Sequence, residues 1–103
     1  MSKEDQRTPE VYTIDQLRSI IIPIAERFGM TSVAIFGSYA RGEADADSDI
    51  DLIMDHGDQR ITRIFGVGGE VEKATGKVVD VYAWLELLPG PFQNAIRSEA
   101  VHL

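Results

Sequence analysis

Ala34-Ile35-Phe36-Gly37-Ser38-Tyr39-Ala40-Arg41-Gly42, an acidic run, and then Ser48-Asp49-Ile50-Asp51-Leu52-Ile53-Met54 lie near the middle of this chain of 103 residues. The segment begins and ends in apolar residues of strand type, so both polar halves sit at the rim of a folded core. Residues 31–36 read as a short strand that Gly37 breaks, and residues 49–54 read as a second strand. Alternation on that strand puts Ile50, Leu52 and Met54 on one face and Asp49 and Asp51 on the other.

Two carboxylates at i and i+2 on a strand lie about 6 to 7 Å apart at the backbone. That spacing suits acids converging on one or two magnesium ions, a hard cation that prefers oxygen ligands. A two-metal site needs more anionic oxygen than two side chains supply, and Asp80 is the candidate third acid. It interrupts Val78-Val79-Asp80-Val81-Tyr82, an apolar strand in which an unpartnered charge is costly. The plainer alternatives are a solvated face for the Asp pair and a strand-edge acid facing water for Asp80. The alternation of Asp45, Asp47, Asp49 and Asp51 does not make an EF-hand, because Ile50 and His56 stand where that loop wants glycine and glutamate.

Gly37 lets the backbone come close to a ligand, and Ser38 adds a hydroxyl at the start of a short helix or turn over 38–44. Amides in such a place suit the phosphates of a nucleotide. Arg41, one turn on, either pairs with phosphate or, as slightly preferred, with the acids of its own loop. Gly42 ends the turn.

Outward from this centre, Thr13 and Gln16 have the spacing of a capping box. Ile14, Leu17, Ile20, Ile21, Ile24 and Phe28 follow at helical period, with Gly29 as the stop and Pro23 expected to kink the helix. A helix over 60–75 is expected from Ile61, Ile64, Phe65, Val71 and Ala74, weakened by Gly66, Gly68 and Gly69. Residues 77–84 form the third strand, with Val79 and Val81 opposed to Val78, Asp80 and Tyr82. Leu88-Pro89-Gly90-Pro91 is a turn, and Pro91 opens a closing helix carrying Phe92, Ala95, Ile96 and Ala100. Residues 1–11 are expected to be a flexible tail, and 12–103 a single domain.

The composition narrows the function. Ten basic and seventeen acidic residues give a net charge of −7, which argues against direct binding of nucleic acid. The acid excess over 43–58 means that a triphosphate there needs divalent metal to offset repulsion. Without cysteine there is neither a disulfide nor a thiolate metal site. No signal-like or membrane-spanning segment is apparent, so a cytoplasmic protein with no membrane contact is expected. There is no P-loop or dinucleotide fingerprint, and His56 and His102 are isolated.

Together, Gly37-Ser38-x-x-Arg41-Gly42 and Ser48-Asp49-x-Asp51-Leu52, with Asp80 on the next strand, resemble the signature of the polymerase-β-type nucleotidyltransferase superfamily. In length and element order the chain is similar to its minimal nucleotidyltransferases, commonly encoded beside HEPN-domain proteins as toxin–antitoxin pairs. The resemblance implies an α/β (α+β) fold, a small mixed sheet with helices packed on one face. It implies triphosphate contacts by Gly37 and Ser38, and magnesium held by Asp49, Asp51 and Asp80. It further implies transfer of AMP from ATP to a tyrosine hydroxyl of a HEPN toxin. An adenylyltransferase for a small molecule is the enzyme alternative; with 23 residues after Asp80, an added acceptor domain is not expected. A binding-only antitoxin is the alternative from another class, and three intact acids count against it.

Overall fold

The computed structural model describes residues 11–103, so the expected N-terminal tail falls almost entirely outside the described residues. The chain runs α1 (Ile14–Arg27), β1 (Ser32–Phe36), α2 (Ser38–Arg41), β2 (Ile50–Asp55), α3 (Arg63–Thr75), β3 (Val79–Ala83), α4 (Pro91–Glu99) and β4 (Val101–His102). The strands form one mixed sheet in the order β3-β2-β1-β4. β1 is antiparallel to β2 and to β4, and β2 is parallel to β3. The parallel pair requires a crossover, and α3 supplies it.

α1 begins at the expected capping box. Thr13 N–H donates to Gln16 Oε1 at 2.8 Å, and Gln16 N–H donates to Thr13 Oγ1 at 3.0 Å. The helix runs on through Pro23, which is exposed and brings no amide to the ladder. α3 holds despite its glycines because two of them are contact points. A Cβ on Gly68 would meet Val81 Cγ1 at 2.9 Å, and one on Gly66 would strike the Phe28 ring. Close packing against β3 and against the end of α1 offsets the weak helix propensity of glycine. α3 starts at Arg63 rather than residue 60, and β3 stops at Ala83, where Trp84–Glu86 turn into a single 3-10 turn.

Strand alternation divides the core. Val33, Ile35, Ile50, Leu52, Met54 and Val79 join α1 and α3 in the main cluster. Ala34, Phe36 and Ile53 point the other way and pack with Ile96 of α4. The expected layer of helices on one face is therefore α1 and α3, while α4 lies across the opposite face. It reaches only part of that face. Phe36, Tyr82 and Phe92 line up edge to face there, with ring centroids 5.3 and 6.2 Å apart. β3 is an edge strand, so Val78 and Asp80 on the same face stay exposed. Of the described residues, no helix is long and apolar enough to cross a membrane.

Candidate active site

The end of β1, the start of β2 and the start of β3 meet on the face that α4 covers incompletely. Phe36 is the register partner of Asp51 across the antiparallel pair, which places Gly37 beside that acid. Gly37 adopts φ 77° and ψ −153°, a conformation open to glycine alone. A Cβ there would run into Asp51 Oδ2, so the position excludes every side chain twice over, by backbone angle and by contact. α2 starts at once with Ser38, and Gly42 ends it in the left-handed region.

Asp51 and Asp80 are register partners on the parallel strands β2 and β3, on the same face. Asp49 immediately precedes β2 and is exposed, while Asp51 is half-buried. Burial pushes the Asp51 carboxyl up to about 6, and Asp80, Asp49 and Glu99 add repulsion, with a hydrogen bond to Asp80 contributing. Of the expected trio, Asp51 and Asp80 stand side by side, and Asp49 lies near enough to repel Asp51. The plainer reading of Asp80 as an edge acid facing water is also true of it, because its strand is an edge and its side chain is exposed. The side chains do not stand as a ready cage. Among the described residues, no three acidic or histidine groups converge closely enough to hold a cation as they are. A hard divalent cation nonetheless fits the donor set, since it would relieve the repulsion concentrated on Asp51.

The loop entering β2 is internally braced. Asp45 Oδ1 accepts from Asp47 N–H at 2.9 Å and from the Ser48 hydroxyl at 3.2 Å, and Asp45 N–H donates to Ser48 Oγ at 2.9 Å. Lys77 Nζ donates to the Ala46 carbonyl at 2.9 Å, tying the loop to the approach of β3. Ser48 and Asp45 therefore brace the loop that leads into Asp49 and Asp51.

Arg41 is committed to carboxylates. Its Nε donates to Glu43 at 2.8 Å, the pairing within its own loop, and its Nη1 donates to Glu99 at 2.9 Å. Glu99 is the residue that sequence reasoning missed. It ends α4, and its Oε2 also accepts from Gly37 N–H at 3.1 Å. Sequence pattern holds no signal for this, because an acid in the last turn of an amphipathic helix reads as a solvated residue.

The nucleotidyltransferase domain family matches residues 7–101. The chain belongs to that family. A Methanocaldococcus jannaschii protein that bears the provisional name protein adenylyltransferase is 35% identical over 89 residues, 85% of this chain and 95% of that relative. The protein adenylyltransferase MntA of Thermococcus cleftensis is 43% identical over 47 residues, 42% of this chain and 48% of that protein. A solved structure provisionally named a minimal nucleotidyltransferase matches with a TM-score of 0.75 at 28% identity, over 89% of this chain and 97% of the other. A crystal structure of a toxin–antitoxin with AMP-PNP matches with a TM-score of 0.70 at 17% identity, over 82% of this chain and 70% of the other, a likeness of fold. This nucleotidyltransferase therefore has the mixed sheet and helices of its relatives. Its Gly-Ser turn stands against its paired acids.

Proposed function

We propose that this nucleotidyltransferase transfers AMP from ATP to a hydroxyl, a tyrosine side chain, of a HEPN-domain toxin, and so acts as the antitoxin of a pair. The observation that carries the chemistry is the apposition of Gly37 with Asp51, and of Asp51 with Asp80, on one open face. A backbone turn with no side chain lies against an acid with a second acid beside it, an arrangement suited to phosphate on one side and metal on the other. The relatives named protein adenylyltransferase support the acceptor as a protein, and the toxin–antitoxin neighbour with AMP-PNP supports the partner and the nucleotide.

In this reading Gly37 and Ser38 orient the triphosphate through their amides and the Ser38 hydroxyl. Asp49, Asp51 and Asp80 would hold Mg2+, two ions where all three acids take part. When bound, the metal offsets negative charge on the phosphates. The acceptor hydroxyl attacks the α-phosphorus in line with the departing pyrophosphate, and the protein's part is chiefly to fix that geometry. Asp80, exposed at the sheet edge, is the acid best placed to accept the proton of an incoming hydroxyl. Arg41 faces the turn but is paired with Glu43 and Glu99, which gives it a structural part before nucleotide arrives.

The test is incubation of the protein with labelled ATP, magnesium and its partner, read by intact mass. A gain of one or more AMP units on the partner, abolished in the Asp49→Ala/Asp51→Ala variant, is expected. A partner bound and inhibited with no change in mass would replace this reading with a purely steric antitoxin.

A further inference from the structure

The Gly37 amide is already occupied. It donates to Glu99 Oε2 at 3.1 Å, and the same oxygen accepts from Arg41 Nη1 at 2.9 Å. An anionic oxygen held by a backbone amide and a guanidinium is bonded as a phosphate oxygen would be. Glu99 thus fills, with the protein's own charge, the donors that an incoming triphosphate needs. It also adds to the repulsion on Asp51, although burial and the two neighbouring aspartates weigh more. Its contacts are favourable to the turn and unfavourable to the acids, and a second anion on the turn tips that balance against it.

The backbone around Glu99 is pinned on both sides. Ala100 N–H donates to the Ile96 carbonyl at 2.8 Å, and Val101 is the register partner of Ile35. The Glu99 side chain is 24% exposed. It can therefore leave the turn by rotation about its own side-chain bonds into water, while α4 and β4 stay in place.

We propose that Glu99 is a positioning residue that occupies the phosphate-binding turn in the nucleotide-free protein and is displaced by the triphosphate, so that its charge weakens nucleotide binding. The inference rests on the reading of Gly37 and Ser38 as the triphosphate site. It gives the turn a satisfied amide when no nucleotide is present, and it accounts for Arg41 reaching to an acid from the opposite end of the chain.

AMP-PNP with magnesium, titrated calorimetrically into wild type and Glu99→Gln, tests this, with thermal unfolding of each protein measured without nucleotide. The glutamine keeps the size and an acceptor for Gly37 but removes the charge. Its dissociation constant should be roughly three- to tenfold lower than that of wild type, the range left to one charge-assisted bond at a partly screened site. A folded Glu99→Gln that binds as wild type or more weakly overturns the proposal, since Glu99 would then merely fasten α4 or meet the nucleotide itself. Should the glutamine variant unfold, Glu99→Ala is measured instead; it removes both the charge and the acceptor of Gly37 N–H, and binding must tighten in the same direction. If wild type and variants alike take up no AMP-PNP, the turn is not a triphosphate site, and the functional reading fails together with this one.

Discussion

Replacing Asp51 with asparagine should make the metal-free protein more stable and the enzyme inactive. The Asp51 carboxyl is pushed from its ordinary 3.8 up to about 6, by burial first and by Asp80 and Asp49 next. A raised carboxylate stabilises the fold below its unfolded value and loses that contribution as pH rises through the folded one. Above pH 6, then, ionised Asp51 is a burden on the native state. A gap of roughly two pH units is worth about 3 kcal/mol at full strength, and screening at this half-buried site reduces it to about 1–2 kcal/mol. Asp51→Asn keeps the shape and removes the charge, so at pH 7.5 its Tm should exceed that of wild type by roughly 5–10 °C for a domain of this size. Near pH 4, where Asp51 is protonated in the native state and close to half protonated in the unfolded chain, the difference should shrink to a small fraction of that at pH 7.5. Calorimetric melts at pH 4, 6 and 7.5 in chelator read this directly. Magnesium should then raise the wild type alone; at a hundred times Kd, ligand binding adds about 2.7 kcal/mol, enough to cancel the advantage of the variant. An asparagine variant no more stable than wild type at pH 7.5, or equally stabilised at every pH, would refute the reasoning.

Gly37→Ala, strained at φ 77° and driven into Asp51, should cost about 2 kcal/mol or more by chemical denaturation and abolish AMP transfer. Tyr39→Phe should leave stability unchanged or raise it by up to about 1 kcal/mol, because the buried Tyr39 hydroxyl has no hydrogen-bond partner. Tyr12→Phe, in contrast, deletes a buried bond from its hydroxyl to the Thr75 carbonyl at 3.0 Å and should lower stability by about 1 kcal/mol in the same assay. Arg41→Ala removes two exposed ion pairs and should shift the denaturation free energy by less than about 1 kcal/mol.

The parts of the site that were legible in the sequence are those fixed by local geometry. The period of two placed Asp49 and Asp51 away from Ile50, Leu52 and Met54, and those three residues are fully buried against α1 and α3. Gly37 could be read as the break that ends a strand, although a Gly-Ser there is by itself most often just a turn; its φ of 77° is what a glycine permits. Asp80 could be suggested from its apolar neighbours, but its register opposite Asp51 follows from β2 and β3 being parallel, which no local pattern contains. The two-residue β4 has no periodicity to read, and it exists because Val101 and His102 find a free edge on β1. Glu99 depends on that pairing in turn. It lies 62 residues from Gly37 in sequence and meets it only because α4 leads into β4.

The same topology explains why the acids lie where they do. α1 and α3 seal one face of the sheet with large aliphatic side chains, and an ionised carboxylate there would be prohibitively costly. α4 contributes one fully buried side chain, Ile96, and leaves the β3 side of its face to solvent. Water can therefore reach Asp49 and Asp80, while Asp51, one strand in from the edge, is dry enough to be perturbed. A site in this position costs the fold some stability in the absence of ligand. The bond from Glu99 to Gly37 and Arg41 offsets part of that cost on the turn while adding to it on Asp51. The resting state is thus held by a compromise among charges, which, in the proposed function, binding of a metal-neutralised nucleotide would resolve.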